Sequence, residues 1–279
     1  MSNARLWPCD IATYHADTAA VSHSGLELVY DDPAKYFWER LAGNAREEKP
    51  WFTEGQNLED ALFCDDGPGA NVVEIPADVL VVNGAKAGKA WKAFEAENRG
   101  KILVKPGDDL LRWVGSVQRH PAARELLSAE GRKQETIVWH DDAHAVDVRV
   151  RFDFIHFGEE VIVDLKSTRT GATLRECANE CAKFGYHRQA ALYLNGAEQL
   201  YGRRPHFIFL FVSKVAPYRV ETFELHADDI ALGDAQNAEA LAAITLSQIA
   251  TLKAACIADV AQCKPLHDEA NDEALAAYF

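Results

Sequence analysis

A stretch of alternating apolar and charged residues, from Arg149 to Lys166, constrains the fold of this 279-residue chain more than any other feature. It reads RVRFDFIHFGEEVIVDLK, and side chains of opposite character at successive positions are typical of half-buried β-strands. The Phe157-Gly158 dipeptide interrupts the alternation and predicts a turn. The stretch therefore predicts a β-hairpin with one apolar and one polar face.

Helical and strand patterns on either side of the hairpin indicate the rest of the fold. Helices are predicted over residues 25–30, 33–41, 56–64, 89–98, 108–118, 121–129, 174–182, 186–200 and 228–252. Strands are predicted over residues 136–139, 146–155, 161–166, 205–214 and 218–225. This order of elements favours an α/β (α+β) fold, with a mixed central β-sheet flanked by helices.

The chain has the length of one large domain, and no linker or repeat divides it. We therefore expect a single domain over residues 1–279. Within it, residues 1–130 are expected to be mainly helical, residues 131–225 to form the sheet core with two helices, and residues 226–279 to be helical.

The polar face of the predicted hairpin brings two carboxylates together. With Ile155 opposite Glu160, the same register places Asp153 opposite Ile162. Asp153 and Asp164 are then diagonal neighbours, with backbones about 7–8 Å apart. A slip of one residue would move the two carboxylates to opposite faces, so the prediction depends on the turn.

Two converging carboxylates can bind Mg²⁺ through their oxygen atoms. Lys166 lies two residues after Asp164 on the same face, where an ammonium group can orient or help to deprotonate a water molecule, or stabilise charge that develops on a phosphate. From the hairpin alone, a solvated face with a ladder of ion pairs explains the pattern equally well.

Residues outside the hairpin extend this constellation. Glu135 opens the preceding strand and can supply a third carboxylate, although an exposed edge residue is the commoner role for such a position. Tyr186, Gln189 and Tyr193 fall on one face of the following helix. Gln189 and Tyr193 can hydrogen-bond a phosphate oxygen, or the whole face can simply pack on the sheet.

The spacing of these residues resembles the core of PD-(D/E)xK nucleases, and within them the RecE-like exonucleases of the exodeoxyribonuclease VIII type. The pattern is Glu135-x17-Asp153-x10-Asp164-Leu165-Lys166, followed by Gln189-Ala-Ala-Leu-Tyr193. Longer segments that are similar to this family are YHADTAAVSHSGLELVYDDPAKYFWERL (residues 14–41), KAGKAWKAFEAE (86–97), HPAARELL (120–127), RFDFI (151–155), VDLKST (163–168) and FGYHRQAALY (184–193).

The resemblance implies a restriction-endonuclease-like core with an N-terminal helical elaboration. It implies a Mg²⁺-dependent exonuclease, with Mn²⁺ as an alternative metal, that digests double-stranded DNA from its ends. The expected polarity is 5′→3′, leaving single-stranded tails for recombination. It further implies a phage or prophage setting, a single-strand annealing protein as partner, and a homo-oligomer.

The resemblance also assigns roles to individual residues. The catalytic residues are expected to be Asp153, Asp164, Lys166, Glu135 and Gln189. The metal ligands are expected to be Asp153, Asp164, the backbone carbonyl of Leu165, and Glu59. The last of these is a departure, because the family tends to place a histidine near Gly55, where this chain has Glu59 followed by Asp60. A carboxylate in that place still suits a hard cation.

The net charge of −14 argues at first against a nucleic-acid partner, since phosphate binding relies on Lys and Arg. The acidity is uneven, however, because residues 101–219 carry 18 basic and 15 acidic side chains. Side chains in this segment that are expected to contact DNA are Tyr193, Tyr186, Arg151, Arg169, Lys183 and Arg188. For the basic ones, ordinary surface ion pairing is the alternative.

Besides a metal hydrolase that acts on a substrate other than DNA, two other functions stay open at this stage. The first is a DNA-end-binding relative that has lost cleavage. The second is a nuclease of the same superfamily with an Fe–S cluster, although Cys177 and Cys181 lack the two neighbouring thiolates that a cluster requires. Free thiols in a reducing compartment are expected for the six cysteines.

The apolar runs of the chain are much shorter than a membrane span, and the N-terminus lacks the apolar region of a secretory signal. We therefore expect no membrane partner and a cytoplasmic location in a bacterial or phage-infected cell.

Overall fold

A computed structural model describes residues 3–17, 19–36, 39, 50–81, 84–158 and 160–244. The helices in these ranges are α1 (Ile11–Ala16), α2 (His23–Asp31), α3 (Pro33–Tyr36), α4 (Pro50–Leu62), α5 (Gly88–Glu97), α6 (Asp109–Arg119), α7 (Pro121–Ser128), α8 (Leu174–Lys183), α9 (Tyr186–Tyr201) and α10 (Ala227–Ala243). The strands are β1 (Arg5–Leu6), β2 (Val21–Ser22), β3 (Val72–Glu74), β4 (Ile102–Val104), β5 (Gly131–Asp141), β6 (Val146–His156), β7 (Val161–Thr168), β8 (His206–Ser213) and β9 (Val220–Glu224).

The central sheet confirms the predicted mixed topology. Its strands follow the order β1-β5-β6-β7-β8-β9, and β2 pairs with β6 off this path. The β7–β8 and β2–β6 pairs are parallel, while the other pairs are antiparallel. The prediction that the first 130 residues are mainly helical missed the short strands β1 to β4, of which β3 and β4 form a separate parallel pair.

Strand β6 forks between two neighbours. It pairs with β7 only at Phe154↔Val163 and Ile155↔Ile162, and further along its length it pairs with β2 at Val148 and Arg149. Strand β7 therefore diverges from β6 just beyond the hairpin, and β2 takes its place. Continued by one residue, the β6–β7 register brings Asp153 level with Asp164, at the start of the fork.

This register corrects the predicted one, in which Ile155 faced Glu160. Ile155 faces Ile162 instead, because β6 runs on to His156 and β7 begins only at Val161, so the connection is longer than the assumed turn. The correction is a shift of two residues. In the observed register Asp153 is level with Asp164 instead of diagonal to it, so the two residues lie closer together than predicted.

The prediction of one apolar face is wrong, because helices cover both faces of the sheet. Phe152, Ile162 and Phe209 pack under the α9 side, whereas Phe154 and Leu210 pack with α4 and α6 on the other side. Strand β8 has the nearly continuous apolar sequence of a strand that is buried on both faces, from Phe207 to Val212. The alternation predicted along β6 accordingly breaks between Phe152 and Phe154.

Helix α9 lies unusually close to the sheet. A Cβ atom added to Gly196 would lie 2.8 Å from Val150 Cγ2, so only glycine permits this approach. The helix begins after Gly185, whose φ of +65° lies in the left-handed region that glycine favours. Helix α9 is therefore fixed at its start and along its length, which positions the side chains near its first turn.

Two predicted helices extend beyond the described residues. Helix 33–41 forms over Pro33–Tyr36, and the helix predicted from residue 228 forms as α10. The rest of that helix and the predicted helical C-terminal part, residues 245–279, lie outside the described residues. Among the helices that are described, none is long and apolar enough to cross a membrane.

Candidate active site

A closed ring of contacts joins Asp164, Lys166 and Gln189. Asp164 is only 1% exposed, and Lys166 Nζ lies 2.5 Å from its Oδ2 atom. The Lys166 ammonium also donates a hydrogen bond to Gln189 Oε1 at 2.8 Å, and Gln189 Nε2 donates to Asp164 Oδ1 at 2.6 Å. Strand β7 therefore supplies a carboxylate and an ammonium group, and the first turn of α9 supplies the amide that holds both.

The ammonium group of Lys166 stays charged although it is buried. Burial is the largest single effect and lowers the pKa of Lys166, but Asp164, Tyr186 and Asp153 together outweigh it, so this pKa lies above its usual value. The ammonium also lies 4.5 Å from the centre of the Tyr186 ring. A positive charge is thus held permanently beside Asp164.

Asp153 contacts the same site from β6. Its Oδ2 atom accepts a hydrogen bond from the Leu165 backbone N–H at 2.8 Å, where the strands diverge and ladder pairing has ended. Burial raises the pKa of Asp153 well above its ordinary value, and the nearby carboxylates of Asp164 and Glu59 raise it further. Asp153 is therefore a carboxylate whose ionisation is disfavoured by its burial and by the neighbouring carboxylates.

Glu59 approaches from α4, on the other face of the sheet. Burial raises its pKa, a hydrogen bond from Gln134 lowers it, and the charges of Asp60 and Asp164 raise it again. That hydrogen bond runs from Gln134 Nε2 to Glu59 Oε1 at 3.1 Å. The predicted substitute for the family's histidine thus lies within electrostatic range of both aspartates.

These groups fit a hard divalent cation. Three carboxylates of like charge share a site that raises the pKa of two of them, and a bound cation would relieve that repulsion. Asp164 Oδ2 is buried and contacts the Lys166 ammonium without a well-aligned hydrogen bond, so a lone pair of this oxygen stays available to a metal. Among the described residues, no three acidic, His or Cys side chains are already gathered at metal-binding distances, so binding would draw these carboxylates closer together.

Gln134 is a site residue that sequence reasoning missed. Its φ of +50° is uncommon for a residue other than glycine, and such backbone outliers concentrate at functional sites. Besides donating to Glu59, it accepts a hydrogen bond from Arg151 at 3.1 Å. The one signal in the sequence was its position next to the predicted Glu135, because a glutamine in a polar strand belongs to no motif that indicates a functional site.

The structure does not bring Glu135 to the three carboxylates. One of its oxygens lies 2.5 Å from Arg132 Nε, and the other accepts a hydrogen bond from the hydroxyl of Tyr201. Tyr201 ends α9, twelve residues after Gln189, which corresponds to a distance of about 18 Å along the helix. Glu135 is therefore engaged at the opposite end of α9 from Asp164.

The two tyrosines that are predicted to contact DNA lie on α9 and pack against residues of the sheet at the site. Tyr193 is 8% exposed and packs edge-on against Phe152 and Phe207, and burial raises its pKa well above its usual value. Tyr186 stacks on Phe209 under the Lys166 ammonium. In these positions both rings pack beneath the side chains of the candidate site.

The four basic residues that are predicted to contact DNA differ in how accessible their side chains are to a phosphate. Arg188 forms a two-pronged ion pair with Glu27, and Arg151 donates to Gln134, Thr136 and the Cys9 carbonyl. Arg169 and Lys183 are exposed, the former 3.1 Å from Glu54 and the latter 4.9 Å from the Phe184 ring centre. Of the four, Arg169 and Lys183 are the more accessible to a phosphate.

The described cysteines do not favour an Fe–S cluster. Cys177 and Cys181 are buried in α8, and burial raises the pKa of each thiol to about 12. A cluster requires thiolates, which this environment disfavours. Cys256 and Cys263 lie outside the described residues.

The chain and its fold are similar to known proteins. A family model described as a PDDEXK-like domain of unknown function (DUF3799) matches residues 86–263. The fold is similar to the crystal structure of a protein named "Putative exonuclease" from Eubacterium rectale, with a TM-score of 0.55, 15% identity, and coverage of 84% of this chain and 86% of that one. The structure of SSO0001 aligns with a TM-score of only 0.30, at 13% identity, over 71% of this chain and 87% of that one. No curated protein matches.

Proposed function

Since this chain belongs to the DUF3799 family of PDDEXK-like domains, we propose that it is a divalent-metal-dependent nuclease that hydrolyses phosphodiester bonds in DNA. One observation carries the proposal: Asp153, Asp164 and Lys166 converge where β6 and β7 diverge, with Gln189 bonded to two of them. Acidic oxygens and a fixed ammonium group are the parts that phosphodiester hydrolysis requires.

In the proposed mechanism the protein's own side chains position the reaction. A divalent cation, when bound by Asp153, Asp164 and Glu59, supplies Lewis-acid stabilisation of the phosphate charge. Lys166 is placed beside Asp164 by a 2.5 Å contact, where its ammonium group can stabilise charge on the phosphate and orient a water molecule. Gln189 fixes the position of that ammonium group through its amide oxygen.

The finer proposal concerns the substrate. We propose an exonuclease that digests double-stranded DNA from its ends with Mg²⁺, in the 5′→3′ direction, leaving tails for recombination. The sequence segments quoted above support this choice, as does the name of the Eubacterium rectale neighbour. A phage or prophage setting, a cooperating annealing protein and a homo-oligomer belong to the same proposal.

Digestion of labelled DNA tests the proposal. Linear duplexes labelled at one 5′ or one 3′ end, and a closed circular duplex, are incubated with Mg²⁺ and with EDTA. We expect nucleotides to be released from linear DNA only, only with Mg²⁺, and with the 5′ label lost first. Asp164→Asn should abolish release, whereas Asp142→Asn, an exposed acid in the β5–β6 turn, should leave it unchanged.

The outcomes separate the alternatives. Equal digestion by wild type and Asp164→Asn would contradict the assigned site. Digestion of the circle would contradict the exonuclease proposal but not the nuclease one. Binding to DNA ends without any digestion would favour the non-catalytic relative.

A further inference from the structure

We infer that an open cleft beside the carboxylates binds the nucleotide of the substrate strand that adjoins the phosphate under attack. The inference rests on the proposed nuclease function and adds a substrate subsite to it. The cleft has a volume of about 560 Å³, and small-molecule sites occupy roughly 300–1,000 Å³. The side chains in its wall that carry the argument are Asp60, Asp65, Asn71, Lys101, Lys133 and Gln134.

Gln134 separates this cleft from the carboxylates. It lines the cleft, and its amide donates to Glu59 on the other side. In the β5–β6 pairing it lies between the pairs Lys133↔Phe154 and Glu135↔Phe152, so it stands opposite Asp153. If one phosphate of a DNA strand lies at Asp153, the next nucleotide of that strand can enter the cleft by passing Gln134.

Two lysines give the cleft a means of holding a phosphate. Lys133 Nζ lies 2.7 Å from Asp65, whose side chain is 97% exposed. An ion pair with so exposed a partner contributes little to stability, so a phosphate can replace Asp65 at small cost. Lys101 makes a long contact of 3.4 Å to the Ala70 carbonyl and also faces the cleft.

The acidic residues of the cleft limit what it can bind. The negative charges of Asp60 and Asp65 offset the positive charges of the two lysines, so the cleft does not bind anions in general. It suits a ligand whose phosphate reaches the lysines while another part of the ligand forms hydrogen bonds.

Asn71 provides the place for those hydrogen bonds. Its Nδ2 donates to the Asp60 carbonyl at 2.9 Å, but its Oδ1 is buried and has no hydrogen-bond partner. An unsatisfied buried acceptor is costly, and a ligand that donates to it removes the cost. The amino group of a base or the hydroxyl of a sugar is such a donor, and a nucleotide carries it together with a phosphate.

Steady-state kinetics on linear duplex DNA, with a deoxynucleoside 5′-monophosphate as competitor, test the inference. The variants are Lys133→Gln, Lys101→Gln and the double substitution, with Lys133→Arg as the conservative change. Lys92→Gln is the matched control, because Lys92 is exposed on α5 and does not line the cleft. Circular dichroism verifies that each variant is folded.

We expect the double variant to raise KM and the inhibition constant of the monophosphate by about tenfold each, with kcat nearly unchanged. Lys133→Arg keeps the positive charge, so its KM and inhibition constant should stay close to those of the wild type. Lys92→Gln should behave as wild type. If the wild type digests DNA and the double variant keeps both constants, the cleft is not a subsite, although the proposed function stands. If the wild type digests no DNA, the proposed function fails and this inference fails with it.

Discussion

At each end of helix α9 a side chain of the helix bonds a carboxylate that lies beside a cationic side chain, but the surroundings of the two carboxylates differ. At its first turn Gln189 bonds the carboxylate of Asp164, which lies beside the ammonium of Lys166. At its last residue Tyr201 bonds the carboxylate of Glu135, which lies beside the guanidinium of Arg132. Each end therefore combines a carboxylate, a cationic side chain and a hydrogen-bonding side chain of α9.

The difference lies in the neighbours of the carboxylate. At both ends one carboxylate oxygen accepts from the α9 side chain and the other lies 2.5 Å from a cationic nitrogen. Asp164, however, shares its site with the carboxylates of Asp153 and Glu59, whose pKa values are raised. A bound cation would relieve the repulsion among these carboxylates. The comparison therefore supports the proposal that the Gln189 end is the metal site.

The largest expected difference between the two ends is in activity. Lys166→Met should lower the rate of DNA digestion by roughly 10²–10³-fold, because it removes a preorganised charge from the site. Arg132→Met, at the other end of α9, should change the rate less than about threefold once the stability of the variant is taken into account. Single-turnover rates on end-labelled DNA measure both. Equal losses would mean that Glu135 and Arg132 belong to the active site after all.

The second difference is in stability. Glu135→Gln should lower the free energy of unfolding by about 1–3 kcal/mol, because it weakens a largely buried network of charged hydrogen bonds. Asp153→Asn should leave the free energy of unfolding unchanged or raise it, since the amide oxygen can still accept from Leu165 and the repulsion from Asp164 is lost. Urea denaturation in EDTA compares the two variants. A strong loss of stability in Asp153→Asn would contradict the electrostatic description of the site.

The smallest effect concerns pH. The pKa of Asp153 in the folded protein lies above its ordinary value of 3.8, so the folded state binds the proton more tightly than the unfolded state. The stability that this proton gives is fully present below pH 3.8 and is lost as the pH rises through the raised pKa. The stability advantage of Asp153→Asn over wild type should therefore grow from pH 4 to pH 8 in EDTA. A constant difference across this range would contradict the raised pKa.

Local patterns in the sequence were sufficient to predict the strands and the central residues. The β-branched runs predicted the core strands, and the alternation placed Asp153, Asp164 and Lys166 on one face of the hairpin. The register was wrong by two residues because the length of the loop after His156 cannot be read from a Phe-Gly dipeptide. Glu135 was predicted to be a catalytic residue from the spacing of the motif. That spacing gives no information about its contacts with Arg132 and Tyr201.

What the sequence could not predict depends on contacts between distant segments. Gln134 and Glu59 are 75 residues apart, and neither has a local pattern that announces their hydrogen bond. The fork of β6 depends on β2, a two-residue strand too short to have a recognisable period. Tertiary contacts of this kind decide which polar residues of a predicted face become a site.

Direct binding of a divalent metal tests the central claim, that the carboxylates at the β6–β7 fork form the metal centre of a nuclease. Mn²⁺ is titrated into the metal-free protein and followed by calorimetry, with wild type, Asp164→Asn and Glu135→Gln in parallel. We predict that wild type and Glu135→Gln bind Mn²⁺ with similar affinity, and that Asp164→Asn loses at least about tenfold. Equal binding by all three proteins, or a loss confined to Glu135→Gln, would contradict the account.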